Sequence, residues 1–206
     1  MSDARLRELE RRWRESGSTE DEAAYLRERV RVGDLTQERL ELAAYCGHEG
    51  ALRATGVRSS PRLTSEGFIA TLVMRHDRDI ALLAAFAAAM ATLNTWESLD
   101  WKEETSTRYR DSPRKALECF GRWFQSRRSE DLAALDQALR DLDSPMAGEW
   151  APRAAEGLLG SVVNEEGWQD HLHASLANAI AAVGLDSIRH RIGEAAIQGV
   201  RVPDTR

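Results

Sequence analysis

Apolar residues recur along this chain at the three- and four-residue spacing of an amphipathic helix, and nowhere do they alternate at period two over a useful length. Leu6, Leu9 and Trp13 make the first stripe, which predicts a helix that begins after Ser2 or Asp3 and ends at Gly17. Thr19 with Glu22 has the spacing of a capping box, and the helix it opens carries Ala23, Leu26 and Val30, with Gly33 as C-cap. Thr36 caps a third helix bearing Leu40 and Ala43, closed by Gly47, and a short fourth near Glu49 to Ala54 ends at Gly56. The Ala-Ala-Tyr triplets at 23–25 and 43–45 hint at a degenerate helix-hairpin repeat.

Residues 57–63 read as a linker, which divides the chain into an N-terminal helical module, 1–56, and a helical bundle, 57–206. Helices are expected over about 65–75 and 79–95, the second apolar nearly all round and so the central helix of the bundle. Residues 97–111 are polar and read as a loop, and Ser112-Pro113 as a helix start with proline at its first position. Ala116, Leu117, Phe120, Trp123 and Phe124 then supply a buried face. Ser129 opens a helix with Leu132, Leu135, Leu139 and Leu142, closed by Ser144-Pro145. The last third reads as helices near 150–163, 166–183 and 186–198, with Gly184 between the last two and Asp186 as an N-cap. The fold class is therefore all-α: an irregular antiparallel bundle or array of αα-hairpins with about ten helices.

Composition narrows the function. The chain has 206 residues, 42% hydrophobic and 30% charged, which reads as soluble, globular and cytoplasmic. The N-terminal residues lack the apolar stretch of a secretory signal. The longest apolar run, Ile80 to Leu93, is shorter than the ~20 residues a membrane span needs. Arg75-His76-Asp77-Arg78-Asp79 parts it from the run Phe68 to Met74, so no membrane role is expected. Only Lys102 and Lys115 of the 28 basic residues are lysines, an arginine bias that fits a GC-rich genome. Cys46 and Cys119 read as reduced, packed thiols.

The formal net charge is −6, and residues 129–206 hold thirteen acidic against six basic residues. That acidic third points away from nucleic acid and towards a basic protein partner. The residues expected on that surface are Asp136, Asp141, Asp143, Glu149, Glu165, Glu166 and Asp170, with Trp150 as an aromatic anchor and Trp96 and Trp101 as secondary candidates. Arg27, Arg29 and Arg31 lack an i,i+4 acid partner in Glu28 and read as a solvated basic face. Arg108, Arg110, Arg114 and Lys115 are the better candidates for an anionic contact.

Catalytic patterns are few. There is no Gly-x-Ser-x-Gly, no phosphate loop and no His-Glu-x-x-His. Gly157-Leu-Leu-Gly160-Ser161 reads as an aid to helix packing. His171 and His173 lie roughly 200° apart around a helix and cannot share a metal. His76-Asp77 resembles the metal-binding dyad of HD-type phosphohydrolases, a likeness that would assign His48 and Asp136 as the remaining ligands; the same five-residue stretch also reads as a polar turn with Asp77 or Asp79 as an N-cap.

Leu-Arg-Glu-Leu-Glu-Arg-Arg-Trp from Leu6, Tyr-Leu-Arg-Glu-Arg-Val-Arg-Val-Gly-Asp-Leu from Tyr25 and Arg-Leu-Glu-Leu-Ala-Ala-Tyr-Cys-Gly-His from Arg39 resemble an N-terminal helical module of uncharacterised myxobacterial proteins. Ser-Pro-Arg-Lys-Ala-Leu-Glu-Cys-Phe-Gly-Arg-Trp from Ser112 loosely resembles the immunity proteins of the Imm5-like helical group, a likeness that implies a secreted toxin as partner. The expectation is a non-enzymatic protein-binding protein without cofactor or metal. Two alternatives stand beside it: an HD-like metal-dependent phosphohydrolase, and a scaffold or regulatory subunit of a larger assembly.

Overall fold

A computed structural model of the chain describes residues 2–58, 63–98, 107–142, 150–164 and 166–199. Among them are eleven α-helices and no strand. The fold is all-α, as the helical period requires. Ser144, Pro145, Asp143, Glu149, Glu165 and Trp101 lie outside the described residues.

The helices fall into two compact units, of which the first is Met1–Arg62 with Ile192–Gly199. It contains α1 (Ser2–Ser16), α2 (Thr19–Val32), α3 (Gln37–Tyr45), α4 (Glu49–Thr55) and the second half of α11 (Leu185–Gln198). Helix α2 packs against α1, α3 and α4. Leu26, Leu35, Leu40 and Leu42 are buried at its centre, and Trp13 stacks on Tyr25 with ring centroids 5.4 Å apart. Gly33 and Gly56 end α2 and α4 in the left-handed region (φ 82° and 75°), where a side chain would strain the backbone.

Ser18, not Thr19, caps α2. Its hydroxyl accepts from the Asp21 N–H at 3.1 Å, and the Asp21 carboxylate takes the Ser16 hydroxyl at 2.6 Å and Arg12 at 2.6 Å. Glu22 takes no part in the cap and faces His48 instead. The expected solvated basic face is also different in kind. Glu28 is only 4% exposed, and Arg31 grips it through two bonds at 2.6 and 2.8 Å across an i,i+3 spacing. Arg29 donates to the Ile197 carbonyl at 2.9 Å and Arg39 to the Ala196 carbonyl at 2.8 Å. Two guanidiniums thus satisfy two of the open C-terminal carbonyls of α11, where positive charge complements the helix dipole.

The described residues of the second unit lie in Leu63–Arg191. It contains α5 (Ser65–Arg75), α6 (Arg78–Glu97), α7 (Thr107–Ser126), α8 (Ser129–Asp141), α9 (Trp150–Val163), α10 (Trp168–Val183) and the start of α11. Helix α6 is central and packs against α5, α7, α9 and α10. By length and composition it could cross a bilayer, but 72% of its apolar window is buried inside the protein. Its alanines, among them Ala81, Ala84, Ala85, Ala88 and Ala89, let neighbours approach, while Leu82, Phe86 and Leu93 fill the space between. Phe86 stacks on Phe120 of α7 at 5.1 Å.

Helix α7 begins at Thr107, five residues before the expected start, so part of the expected loop is helix and Pro113 sits inside it. Proline there cannot donate to the carbonyl four residues earlier. Tertiary ties hold the turn nonetheless: Trp96 donates its indole N–H to the Arg110 carbonyl at 2.9 Å, and Arg114 forks onto Glu97 at 2.7 and 2.8 Å. Asp186 likewise falls in the first turn of α11 and is not its N-cap.

Candidate interaction surface on helices α8 to α10

Helices α9 and α10 meet through glycine. A Cβ placed on Gly157 would stand 2.7 Å from the His171 carbonyl oxygen and 2.9 Å from the Ser175 nitrogen, and one on Gly160 would stand 2.9 Å from His171 Nδ1. The missing side chains let the two backbones come together, and Ser175 closes the seam by donating to the Ala154 carbonyl at 2.7 Å. The close approach leaves the polar sides of both helices facing one open cleft of about 820 Å³, whose third wall is the end of α8. Arg140, Arg153, Glu156, Asn164, His171 and Asn178 supply its polar lining.

The residues expected to form an acidic surface divide here. Asp136 and Asp141 lie on α8; Asp136 is paired with Arg140, and Asp141 accepts from the Gln137 amide at 3.2 Å. Arg140 therefore neutralises one of the expected charges at i,i+4. Glu166 and Asp170 are exposed around the start of α10 and make no ion pair or hydrogen bond through their carboxylates among the described residues. Glu156 is a third exposed carboxylate of this kind, on α9, outside the set expected from the sequence. Trp150, the first residue of α9, is 47% exposed and is the one aromatic left exposed among the residues whose side chains are described.

Trp96, the other described aromatic candidate, belongs to the core. It is 5% exposed and its N–H is taken by Arg110, so it presents no surface to a partner. Arg114, singled out for an anion, is held by Glu97.

Three residues of the HD-like set, Asp77, Asp136 and His48, each have local partners. Asp77 caps α6, accepting from the Ile80 N–H at 2.8 Å, which is the turn alternative of the sequence reading. Asp136 is held by Arg140. His48 caps α4: its Nδ1 accepts from the Ala51 N–H at 3.3 Å, which places the proton of the neutral ring on Nε2. That Nε2 faces Glu22 at 3.7 Å and Glu194 at 3.5 Å. A metal at Nε2 would need a bare nitrogen there and a proton on Nδ1, the reverse of the tautomer the backbone selects. Among the described residues no three His, Cys, Asp or Glu side chains are grouped to hold a metal ion. Burial first, and Glu194 beside it, push the Glu22 carboxyl above its usual range against the pull of His48.

The neighbouring cleft between α7 and α8, about 590 Å³, holds Cys119 with Lys115 and Arg122. Burial pushes the Cys119 thiol up, against the pull of Arg122, whose guanidinium donates to Sγ at 3.0 Å. A raised thiol is a poor nucleophile at neutral pH.

Compared with known protein families, curated proteins and solved structures, the chain gives no match.

Proposed function

We propose that this is a non-catalytic binding protein that engages a basic protein partner through the outer faces of α9 and α10, with Trp150 as the anchor. A toxin neutralised by an immunity or defence factor is one partner of that chemistry. The observation that carries the reading is Trp150: a large ring left 47% exposed in a unit that buries its other described tryptophans wholly or in part. Exposed tryptophan that becomes desolvated at an interface is among the strongest sources of binding energy. Glu156, Glu166 and Asp170, unpaired and exposed, add the negative charge that would steer a basic surface on encounter.

The test is capture of basic proteins from the native source by the immobilised full chain, repeated with Trp150→Ala. The reading requires a basic partner whose affinity falls by about 2 kcal/mol or more in the variant. An acidic partner, or one bound equally well by both chains, contradicts it.

A further inference from the structure

We infer that the α8–α9–α10 cleft is a binding site for a small zwitterion of the amino-acid class. The cleft, about 820 Å³, lies within the size range of small-molecule pockets. Its charges decide the ligand. Arg140 is already neutralised by Asp136, so it adds shape and hydrogen-bond donors more than net charge. Two charges remain: the guanidinium of Arg153 and the carboxylate of Glu156. They stand at i,i+3 on one face of α9 and line the same cleft, yet they do not pair with each other or with any other described residue.

An ammonium and a carboxylate carried by one molecule would satisfy both groups. A simple anion would meet Glu156 as a like charge, and a simple cation would meet Arg153 as one. The rest of the lining mixes apolar Leu139, Leu142 and Ala174 with polar Asn164, His171 and Asn178. Asn164 and Asn178 offer amides, and His171 lies half-buried across Gly160 with its Nε2 3.5 Å from the Asn164 amide nitrogen. Donors and acceptors of this kind fit a polar side chain. Because Gly157 and Gly160 let α10 come close, main chain and the His171 ring lie directly against α9 at the floor of the site. The inference needs no protein partner and does not rest on the reading above.

The test is ¹H–¹⁵N NMR of the full chain titrated with L-glutamine at constant ionic strength, beside N-acetyl-L-glutamine, which keeps only the carboxylate, and L-glutaminamide, which keeps only the ammonium. Expected are saturable shifts confined to α9, α10 and the end of α8 with glutamine, and at least tenfold weaker binding of either half-charged analogue. Arg153→Gln and Glu156→Gln should each weaken glutamine tenfold or more. Both side chains are exposed and unpaired, so an unchanged spectrum of the free variant verifies its fold. No saturation up to about 10 mM, far weaker than a built site of this size should show, overturns the inference. So does equal binding of N-acetyl-L-glutamine, or affinity unchanged in Arg153→Gln.

Discussion

Gly157 and His171 are in backbone contact: the carbonyl oxygen of His171 occupies the space a side chain at 157 would need, 2.7 Å from where its first carbon would be. Main chain cannot swing aside as a flexible side chain can. Gly157→Ala must therefore push α10 away from α9, part the Ser175–Ala154 hydrogen bond and open the cleft floor. The expected loss of stability is about 2–3 kcal/mol, as for overpacking of a tight core, read from the shift of a urea unfolding midpoint at unchanged slope. Ser175→Ala, which removes the hydrogen bond without forcing the helices apart, should cost about 1 kcal/mol.

Arg127 is the one described residue other than glycine with positive φ, 54°. It holds that conformation at the end of α7 while its guanidinium lies over the Trp123 and Phe124 rings at 4.6 and 4.4 Å and pairs with Asp79 at 2.9 Å. Glycine relieves the backbone and loses the side-chain contacts, whereas alanine loses the contacts and keeps the strain. Arg127→Gly should fall within about 0.5 kcal/mol of the parent, and Arg127→Ala should cost about 1–2 kcal/mol. Urea denaturation of the two variants side by side checks the order.

Glu22 and Glu28 sit six residues apart on α2 and should respond oppositely to pH. The Arg31 hydrogen bond and charge, with Arg5 beyond, hold Glu28 below its usual range. A depressed carboxylate contributes stability that is present above its unfolded pKa near 4.5 and lost as the pH falls through its folded value. The stability deficit of Glu28→Gln should thus be full at neutral pH and close as the solution is acidified below that value.

For Glu22 the sign reverses. Its folded carboxyl is raised, so the fold carries a penalty that is absent below pH 4.5, grows as the pH rises through the raised value and is constant beyond it. Glu22→Gln should be more stable than the parent at pH 8 by about 0.5–1 kcal/mol, after allowing for solvent screening of a group open on one side, and indistinguishable from it at pH 4. His48 keeps Glu194 as acceptor in the variant. Thermal unfolding at the two pH values decides it.

Much of the fold was legible in the residues. The all-round apolar face of α6, the glycines at 33, 56 and 184 and the polar turn before Ile80 marked core, helix ends and an N-cap that the structure contains. What failed was local chemistry overruled by distant partners. Pro113 reads as a start because its neighbours in sequence do not show that Trp96 holds the preceding turn and Glu97 holds Arg114 just after it. Trp96 looked available because its position near a helix end does not reveal the Arg110 carbonyl that receives its N–H.

The surface was legible in charge and illegible in pairing. Asp136 and Arg140 stand at i,i+4, so their mutual neutralisation was there to be read. Glu28 and Arg31 stand at i,i+3, a spacing that brings side chains together as i,i+4 does. Glu156 gained weight only once the Gly157–His171 seam had shown which face of α9 stays open.

The central claim, that unpaired carboxylates on α9 and α10 guide a basic partner onto Trp150, is tested most directly by the salt dependence of the association rate. Stopped-flow measurement with the captured partner would compare the parent with the triple variant Glu156→Gln, Glu166→Gln, Asp170→Asn. The parent's rate should fall by about tenfold or more between 20 and 500 mM salt, and the variant's should start lower and stay nearly flat. Equal slopes for the two proteins, or a parent rate that salt does not change, would contradict the account.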